Sequence, residues 1–459
     1  MVRFAQFLPS PHLVPQLAPP PEVVGIARTL EAAGFETWCV GGAVRDALLG
    51  LPNEDWDLAT AAPPPEVRRL FRRTVPVGVE FGTVGVLDNH GVMHEVTTFR
   101  SDVDTDGRHA VVRFGASLDE DLARRDFTIN AIAYSPSRNE IRDPFGGQAD
   151  LAAGVVRAVG IAHDRMREDR LRALRGIRFA SRFSFDIEAD TWQAILDSVP
   201  ALAQLSAERV KQELEKTMEQ VASPSDSIGR WTSSGAMRTL APLVDAALAG
   251  DTGQDMMAAL DCVLPPRGLR RERSDARVRL RLALLVLALP RAEAALALRS
   301  LRFSNADVAW AAELADRWAR VRPLIERSLA GQDIPSDAEV RRWVAQMGRS
   351  RTPSVLRAAA AVWAGRRCRG LSAPSSGAVQ SLYRRAIRTA YRDPVEVADL
   401  ALDGADLQRA GVQPGPAVGR MLVYLLERVL DDPSLNRVDA LLAAVQDASS
   451  AYTPDARSQ

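Results

Sequence analysis

The spacing of apolar residues changes several times within the first 150 residues, which is typical of alternating helices and strands. Apolar positions three and four residues apart predict helices at 22–34, 41–50 and 64–71. Short apolar or alternating runs predict strands at 35–40, 54–60, 82–88 and 91–100. The sequence DNHG at 88–91 predicts the turn that joins the last two strands. The pattern indicates a small domain built on a mixed sheet.

The segment that follows these strands has no clear period. Residues 102–112, DVDTDGRHAVV, are mostly polar and acidic, so we expect a mobile loop there. The segments RRDFTINAIAY and IRDPFGG then close the small domain near residue 150.

From about residue 162 onward, Arg, Ala and Leu dominate and apolar residues recur at helical spacing. We therefore predict an α+β protein, in which a small mixed-sheet head is followed by an all-α neck, body and tail. The predicted domains are a Pro-rich N-terminal arm (1–21), the head (22–150), the neck (151–221), the body (222–335) and the tail (336–459).

Composition narrows the class of protein only slightly. The 459 residues include 46% hydrophobic and 25% charged residues, which are globular values, and the formal net charge is zero. Without a basic field over the whole chain, composition neither supports nor excludes an RNA partner. Basic residues are almost all arginine, since Lys211 and Lys216 are the only lysines. Genome composition explains this better than selection for bidentate phosphate contacts does, because the bias covers every part of the chain.

Cysteine content and hydropathy indicate the compartment. The three cysteines, Cys39, Cys262 and Cys368, are too few and too scattered for a disulfide framework or a cysteine-rich metal site. The apolar run at 282–290 is far shorter than the roughly 20 residues of a membrane span. Prolines interrupt any signal peptide in the N-terminal arm. We expect a cytoplasmic protein that does not enter the membrane.

The chemistry is concentrated in GGAVRDALLGLPNEDWD, residues 41–57. On a strand, Asp55 and Asp57 would project from one face, and two adjacent carboxylates suit Mg²⁺. Gly41 and Gly42, at the junction of a strand and a helix, would let backbone amides approach a phosphate group. Arg45, one turn into that helix, would point toward the same triphosphate. Each motif alone is weak, but their order predicts a metal-dependent nucleotide site.

Five motifs in order, GGAVRD with EDWDLAT, RRDFTINAIAY, DPFGG, EDRLRALRGIRF and ERVKQELEK, resemble the bacterial tRNA nucleotidyltransferase and poly(A) polymerase family. The resemblance is close over residues 36–220 and looser beyond. It implies a head of the DNA polymerase β type and class II CCA-adding chemistry, with Asp55 and Asp57 as catalytic metal ligands. Glu95, on a neighbouring strand, is a possible third carboxylate, although a glutamate paired with an arginine would explain it equally well.

The resemblance also implies roles for arginines and aspartates outside the glycine motif. Arg125 and Asp126 would contact the triphosphate and ribose, and Arg175 and Arg178 would contact the nucleotide. Asn130 is a possible hydrogen-bonding support, and Arg182 has no certain role.

Asp169 and Arg172 suggest how a base is chosen without a template. If residues 162–183 form one helix, these two side chains are neighbours on one face. Cytosine and adenine each present an amino donor beside a ring-nitrogen acceptor, and guanine and uracil present the opposite polarity. A carboxylate beside a guanidinium would therefore accept C and A and leave charges unpaired against G and U. In the family this pair reads the incoming base.

The resemblance leaves several functions open. The leading interpretation is template-independent addition of CCA to the tRNA 3′ end with CTP, ATP and Mg²⁺, with the tail bound to tRNA and no protein partner predicted. Partial CC-adding or A-adding activity and poly(A) synthesis share the chemistry, and the segment SDVDTDGRHAVVRF is slightly shorter than expected for full CCA addition. A non-catalytic RNA-binding protein is the alternative of a different class.

Overall fold

The computed structural model describes residues 17–53, 55–105, 110–264, 270–330 and 334–451. Contacts divide the chain into two compact units, Met1–Leu240 and Ala241–Gln459. The predicted boundaries inside the helical part of the chain stay predictions.

The first unit opens with alternating short helices and strands. In chain order these are α1 (Pro21–Ala32), β1 (Thr37–Val40), α2 (Gly42–Leu48), β2 (Asp57–Thr60), α3 (Pro64–Leu70), β3 (Thr74–Pro76), β4 (Thr83–Leu87), β5 (Met93–Thr98), β6 (Arg100–Thr105), β7 (Ala110–Phe114), α4 (Leu118–Ala123), β8 (Ala133–Ser135) and β9 (Glu140–Arg142). The predicted mixed-sheet head is confirmed.

Seven of these strands form one sheet in the order β3-β4-β5-β2-β1-β8-β9. β2 and β5 run parallel, while the other neighbouring pairs in this sheet run antiparallel. Because β1 and β2 are antiparallel, the end of β1 and the start of β2 lie side by side, with Val40 opposite Asp57, at the same end of the strands. That end carries the glycine pair and the two aspartates.

The two faces of the sheet differ in cover. Leu58, Val84 and Val96 share one face by strand register and are buried, and α1 and α3 contact the strands that carry them. On the other face, Trp38 and Ala59 pack with α4 in a hydrophobic cluster. This cluster covers β1 and β2 on the second face. It does not extend over β3, β4 and β5, which lie on one side of it in the strand order.

The mobile loop expected at 102–112 is wrong for the part of it that the structure describes. β6 and β7 form an antiparallel hairpin, with Arg100 opposite Phe114. The hairpin is anchored at its base, because Phe114 packs over Gly82 and Arg100 donates a hydrogen bond to the carbonyl oxygen of Phe81. These contacts come from distant residues, so the local sequence period does not reveal them. Residues 106–109 lie outside the described residues.

Helices complete the first unit. They are α5 (Gly147–Ala153), α6 (Ala162–Glu168), α7 (Leu171–Phe183), α8 (Ala189–Ser198), α9 (Ala207–Gln220), α10 (Pro224–Ser234) and α11 (Ala236–Leu240), with a short parallel pair formed by β10 (Val155–Val156) and β11 (Asp186–Ile187). α7 contacts α6, α9 and α10, so it is the central helix of this part.

The described residues of the second unit are helical. The helices are α12 (Pro242–Leu248), α13 (Gly250–Asp261), α14 (Arg270–Leu284), α15 (Arg291–Ser300), α16 (Asn305–Ala330), α17 (Asp337–Met347), α18 (Thr352–Cys368), α19 (Ser376–Arg392), α20 (Gly404–Arg409), α21 (Pro416–Asp431) and α22 (Val438–Ala451). Leu407, Leu425 and Leu441 belong to a separate small core at the end of the chain. Within the described ranges, every helix is too short or too polar to cross a membrane.

The close packing of α13 and α18 depends on Gly365. A Cβ atom at this position would lie 2.8 Å from the carbonyl carbon of Ala258 and 2.8 Å from the nitrogen of Ala259. We expect Gly365→Ala to lower the free energy of unfolding by about 1–3 kcal/mol, because the two backbones must separate. Thermal unfolding measures this loss. The control is Gly419→Ala in α21, where a Cβ meets no atom within 4 Å and the change should stabilise the helix. Equal effects of the two substitutions would contradict the packing argument.

Candidate active site

The two aspartates lie at the edge where β2 begins. Asp57 is the first residue of β2 and Asp55 is exposed just before it, while Trp56 between them is only 3% exposed. The alternation predicted for EDWDLAT is therefore confirmed. Asn53 stabilises the turn that leads into β2. Its side-chain oxygen accepts a hydrogen bond from the Asp55 amide at 2.8 Å, and its carbonyl oxygen accepts one from the Trp56 indole.

Glu95 lies beside this pair on the neighbouring strand. The parallel register places Leu58 opposite Val96, so Asp57 and Glu95 project from the same face of adjacent strands. Burial and then the charges of Asp55 and Glu95 raise the pKa of Asp57 to about 7, although Arg125 opposes this. A bound cation would relieve this repulsion, so the residues fit a metal site. Among the described side chains, however, no three carboxylate, His or Cys groups already lie close enough together to hold a metal ion. Glu95 as a third ligand stays a prediction.

Gly41 and Gly42 join β1 to α2, as predicted. Gly41 has φ +76°, so its backbone favours glycine, and a Cβ there would lie 2.9 Å from a guanidinium nitrogen of Arg125 and would displace that side chain. Gly42 is different, because its Cβ would make only an ordinary contact, 3.5 Å from Arg45. No side chain caps the first turn of α2, and the buried Nε of Arg125 has no hydrogen-bond partner among the described residues. Donors suited to an anion are thus available beside the aspartates.

The expectation that Arg45 points toward a triphosphate is wrong in this structure. Arg45 is 3% exposed, and its guanidinium lies over the rings of Phe179 and Phe183, 5.0 and 4.8 Å from their centroids. It donates hydrogen bonds to Asn130 and, at 2.8 Å, to Asp46. The physical reason is that the aromatic rings of α7 and the Asp46 carboxylate together stabilise the cation away from water. Arg45 therefore positions the glycine turn instead of facing the nucleotide.

Asp46 links α2 to the helix α7. Its two oxygens accept hydrogen bonds from Arg45 at 2.8 Å and from Arg182 at 3.0 Å, and its side chain is buried. Arg182, whose role the sequence left uncertain, is therefore part of the support of the site.

Asp126 has its hydrogen bonds satisfied within the protein. One oxygen accepts from the Phe127 amide and from Asn130, and the other accepts from Arg175 at 2.8 Å. Burial alone would raise the pKa of Asp126, but Arg175 and Asn130 lower it to about 2. Asp126 is therefore ionised at neutral pH and held in a fixed orientation. Arg125, the preceding residue, pairs with Asp121 at 3.2 Å.

Asp169 and Arg172 do not lie on one continuous helix, so the argument from helical spacing is wrong. The helix breaks between α6 and α7, where Asp169 is extended and its carboxylate accepts a hydrogen bond from the Leu171 amide at 3.0 Å. This local bond replaces the helical one and explains the break. The two residues nevertheless lie at the same junction. Their role in base reading stays a prediction.

Each member of this pair has its own partner. Arg209 of α9 donates to both carboxylate oxygens of Asp169, at 2.8 and 2.9 Å. Arg172 donates to Glu168 at 2.6 Å and to the carbonyl oxygen of Arg124 at 2.8 Å. Neighbouring helices and loops thus hold both side chains in place.

The structure places Arg178 in the interior. Its guanidinium donates to Glu213 and to Gln220 on α9, and both members of the pair with Glu213 are buried. These contacts favour a bracing role over the predicted nucleotide contact. Arg175 is more exposed and pairs with Asp126.

Sequence reasoning missed the supporting residues Asp46, Asp121, Phe179, Phe183 and Glu213. Phe179 and Phe183 are four residues apart on an amphipathic helix, which places them on one face. That signal predicts burial of the two rings, but it does not reveal that an arginine from α2 lies over them.

We expect Asp46→Ala to lower the free energy of unfolding by about 3 kcal/mol, because Arg45 would stay buried without its carboxylate. Denaturant titration measures the loss. Asp119→Ala is the control, since it removes the exposed pair of Asp119 with Arg142 and should have a much smaller effect. Losses of similar size in the two variants would refute the idea that Arg45 depends on Asp46.

Comparison with known proteins gives the family. The chain matches the Poly A polymerase head domain over residues 37–157 and the "Probable RNA and SrmB- binding site of polymerase A" over residues 184–248. It is 35% identical to the CCA-adding enzyme of Lactiplantibacillus plantarum over 421 residues, covering 91% of this chain and 93% of the relative. The CCA-adding enzyme of Latilactobacillus sakei is 34% identical, with 93% and 97% covered.

Solved structures agree with this assignment. The Bacillus stearothermophilus CCA-adding enzyme in complex with CTP superimposes with a TM-score of 0.71 at 31% identity, covering 94% of this chain and 97% of that one. The Thermotoga maritima CCA-adding enzyme complexed with tRNA shares the fold, with a TM-score of 0.61 at 21% identity, covering 93% and 94%. On this evidence, the chain belongs to the bacterial tRNA nucleotidyltransferase and poly(A) polymerase family, to which the CCA-adding enzymes belong.

Proposed function

We propose that this protein is a template-independent CCA-adding enzyme that uses CTP and ATP to add or repair the 3′-terminal CCA of tRNA. The observation that carries the proposal is the placement of Asp55 and Asp57 beside Gly41 and Arg125, in a chain related over more than nine-tenths of its length to CCA-adding enzymes. We expect the reaction to take place in the cytoplasm.

The nucleoside triphosphate would bind next to the glycine turn. The free amides at the start of α2 and the unpartnered Nε of Arg125 supply donors for phosphate oxygens. Gly42 supports this assignment, because nothing within the chain excludes a side chain there, whereas a phosphate group close to the backbone would. The predicted contact of Asp126 with the ribose stays a prediction, because the Phe127 amide, Asn130 and Arg175 already bond to both oxygens of its carboxylate.

CCA-adding nucleotidyltransferases generally depend on a divalent metal ion, and we infer that this one uses Mg²⁺. Asp55 and Asp57 would hold it, with Glu95 as the candidate third carboxylate. When bound, Mg²⁺ supplies charge neutralisation on the phosphates and activation of the attacking hydroxyl group. The protein contributes the turn around Asn53, which fixes Asp55, and the burial of Trp56, which orients both carboxylates.

Asp169 and Arg172 would select the base. A carboxylate that accepts from the amino group and a guanidinium that donates to the ring nitrogen fit cytosine and adenine. Guanine and uracil would instead place an acceptor against the carboxylate and a donor against the guanidinium. Arg209 and Glu168 support this role, because they hold the two reading groups in fixed positions. The region matched to an RNA-binding site, residues 184–248, and the C-terminal tail would bind the tRNA.

The proposal is tested with three tRNA transcripts, which end before C74, after C75 and after the complete CCA, supplied with CTP, ATP or both. Sequenced products that gain CC and then A establish a CCA-adding enzyme. Arrest after CC, addition of A alone, or long A tails would each replace the proposal with a partial enzyme or a poly(A) polymerase.

The metal assignment is tested with the double variant Asp55→Asn, Asp57→Asn. We expect Mg²⁺-dependent incorporation of CMP to fall by roughly 100-fold or more, since the charges that hold the ion are removed without a change of shape. Asp119→Asn, an exposed carboxylate on α4, is the control and should retain activity. Full activity in the double variant would refute the assignment of Asp55 and Asp57 as metal ligands.

The base-reading assignment is tested with Asp169→Ala. We expect the preference for CTP over UTP, measured as the ratio of kcat/KM values, to fall by at least ~10-fold. Asp164→Ala is the matched control, because Asp164 is an exposed carboxylate of the adjacent helix that pairs with Arg167. Unchanged discrimination in the Asp169 variant would refute the pairing scheme.

A further inference from the structure

Three apolar side chains extend the sheet face that carries the carboxylates. Strand register places Val75 opposite Gly85 and Gly85 opposite Glu95, so these positions share one face. Met93 lies two residues before Glu95 and shares that face as well. Val77 reaches the same place, because it lies near Gly85 together with Met93. We refer to Val75, Val77 and Met93 as the apolar strip.

The strip is exposed although most of the surrounding sheet is covered. Met93 is 40% exposed and Val75 is 36% exposed, whereas Val84 and Val96 on the opposite face are buried. Gly85 shapes the strip, since a Cβ there would lie 2.7 Å from the sulfur of Met93 and 3.0 Å from a methyl group of Val77. The missing side chain lets Met93 and Val77 lie flat across β4. Exposed apolar surface beside a catalytic site indicates a binding surface.

The sheet order indicates what approaches this surface. Asp57 on β2 and Glu95 on β5 lie between Gly41, at the end of β1, and the strip on β5, β4 and β3. In nucleotidyl transfer, the attacking and leaving oxygens lie roughly in line on opposite sides of the phosphorus. If the triphosphate lies at Gly41 and Arg125, as proposed above, the attacking hydroxyl group must come from the side of β5. Neighbouring strands are about 5 Å apart, so the strip begins one strand away from Asp57.

We propose that the apolar strip supports the base of the 3′-terminal nucleotide of the RNA acceptor. This inference rests on the proposed function, because it needs the triphosphate at Gly41. The strip suits an acceptor whose last base changes as nucleotides are added, since none of its three side chains forms a strong hydrogen bond. Methionine is flexible and polarisable, so Met93 can contact different bases without choosing between them. Base choice then stays with Asp169 and Arg172, which read the incoming nucleotide.

Met93→Ala tests the proposal. We expect the KM for a tRNA ending before C74 to rise by roughly fivefold to tenfold, because the base loses its apolar contact, while the KM for CTP is unchanged. Met93→Leu should restore the wild-type KM for tRNA. Val92→Ala is the matched control, since Val92 is 52% exposed and adjacent to Met93 but precedes β5 and is not part of the apolar strip. Matching tRNA KM values for Met93→Ala and Val92→Ala would overturn the proposal.

An acceptor without a terminal base separates a contact with the base from a general loss of activity. On a tRNA whose 3′-terminal nucleotide is abasic, wild type and Met93→Ala should have the same KM, because no base is left to contact. An equal effect of Met93→Ala on the intact and abasic acceptors would overturn the proposal. The proposed function fails in a different way, since a wild-type protein that adds no CMP to any tRNA would refute that function directly.

Discussion

The candidate site depends on one buried arginine, Arg45, and on the partners that hold its charge. The guanidinium of Arg45 lies over the rings of Phe179 and Phe183 and is hydrogen-bonded to Asp46 and Asn130. A guanidinium in this environment is stable only while its partners stay in place, because an unpaired buried charge costs several kcal/mol. Its partners belong to α2, to α7 and to the segment after Asp126. The glycine turn, the second half of α7 and the support of Asp126 are therefore linked by one set of contacts.

The charges around the active site follow a clear division. Acidic groups that support the site are neutralised within the protein, as Asp126 is by Arg175 and Glu213 is by Arg178. Asp57 is not neutralised in this way, and its pKa is raised first by burial and then by the charges of Asp55 and Glu95. Other buried carboxylates are paired with arginines, but Asp55 and Asp57 lie together at the start of β2. A cation bound there would stabilise both charges. The electrostatics thus distinguish residues that build the site from residues that act in it.

The sequence predicted what depends on local pattern. The period-two burial of Trp56, the helix after Gly42 and the strand that carries Glu95 all follow from spacing along one element. The failures come from contacts between elements. The burial of Arg45 needs rings some 135 residues away, and the hairpin after residue 100 is held by Phe81 and Gly82. The break at Asp169 is local, but a carboxylate that bonds to the amide two residues on competes with a helix in a way that spacing does not reveal.

The partners of the base-reading pair bear on how a template-free enzyme can be selective. In this structure Asp169 is paired with Arg209 and Arg172 with Glu168, so neither charge is unsatisfied before a nucleotide binds. A base that complements both groups adds hydrogen bonds to groups that are already oriented, and little freedom is lost. A base of opposite polarity places donors against Arg172 and an acceptor against Asp169, and it also displaces water from both. Under the proposed function, selectivity would come from the penalty on the wrong base and not from tight binding of the right one, and one rigid pair could then serve both CTP and ATP.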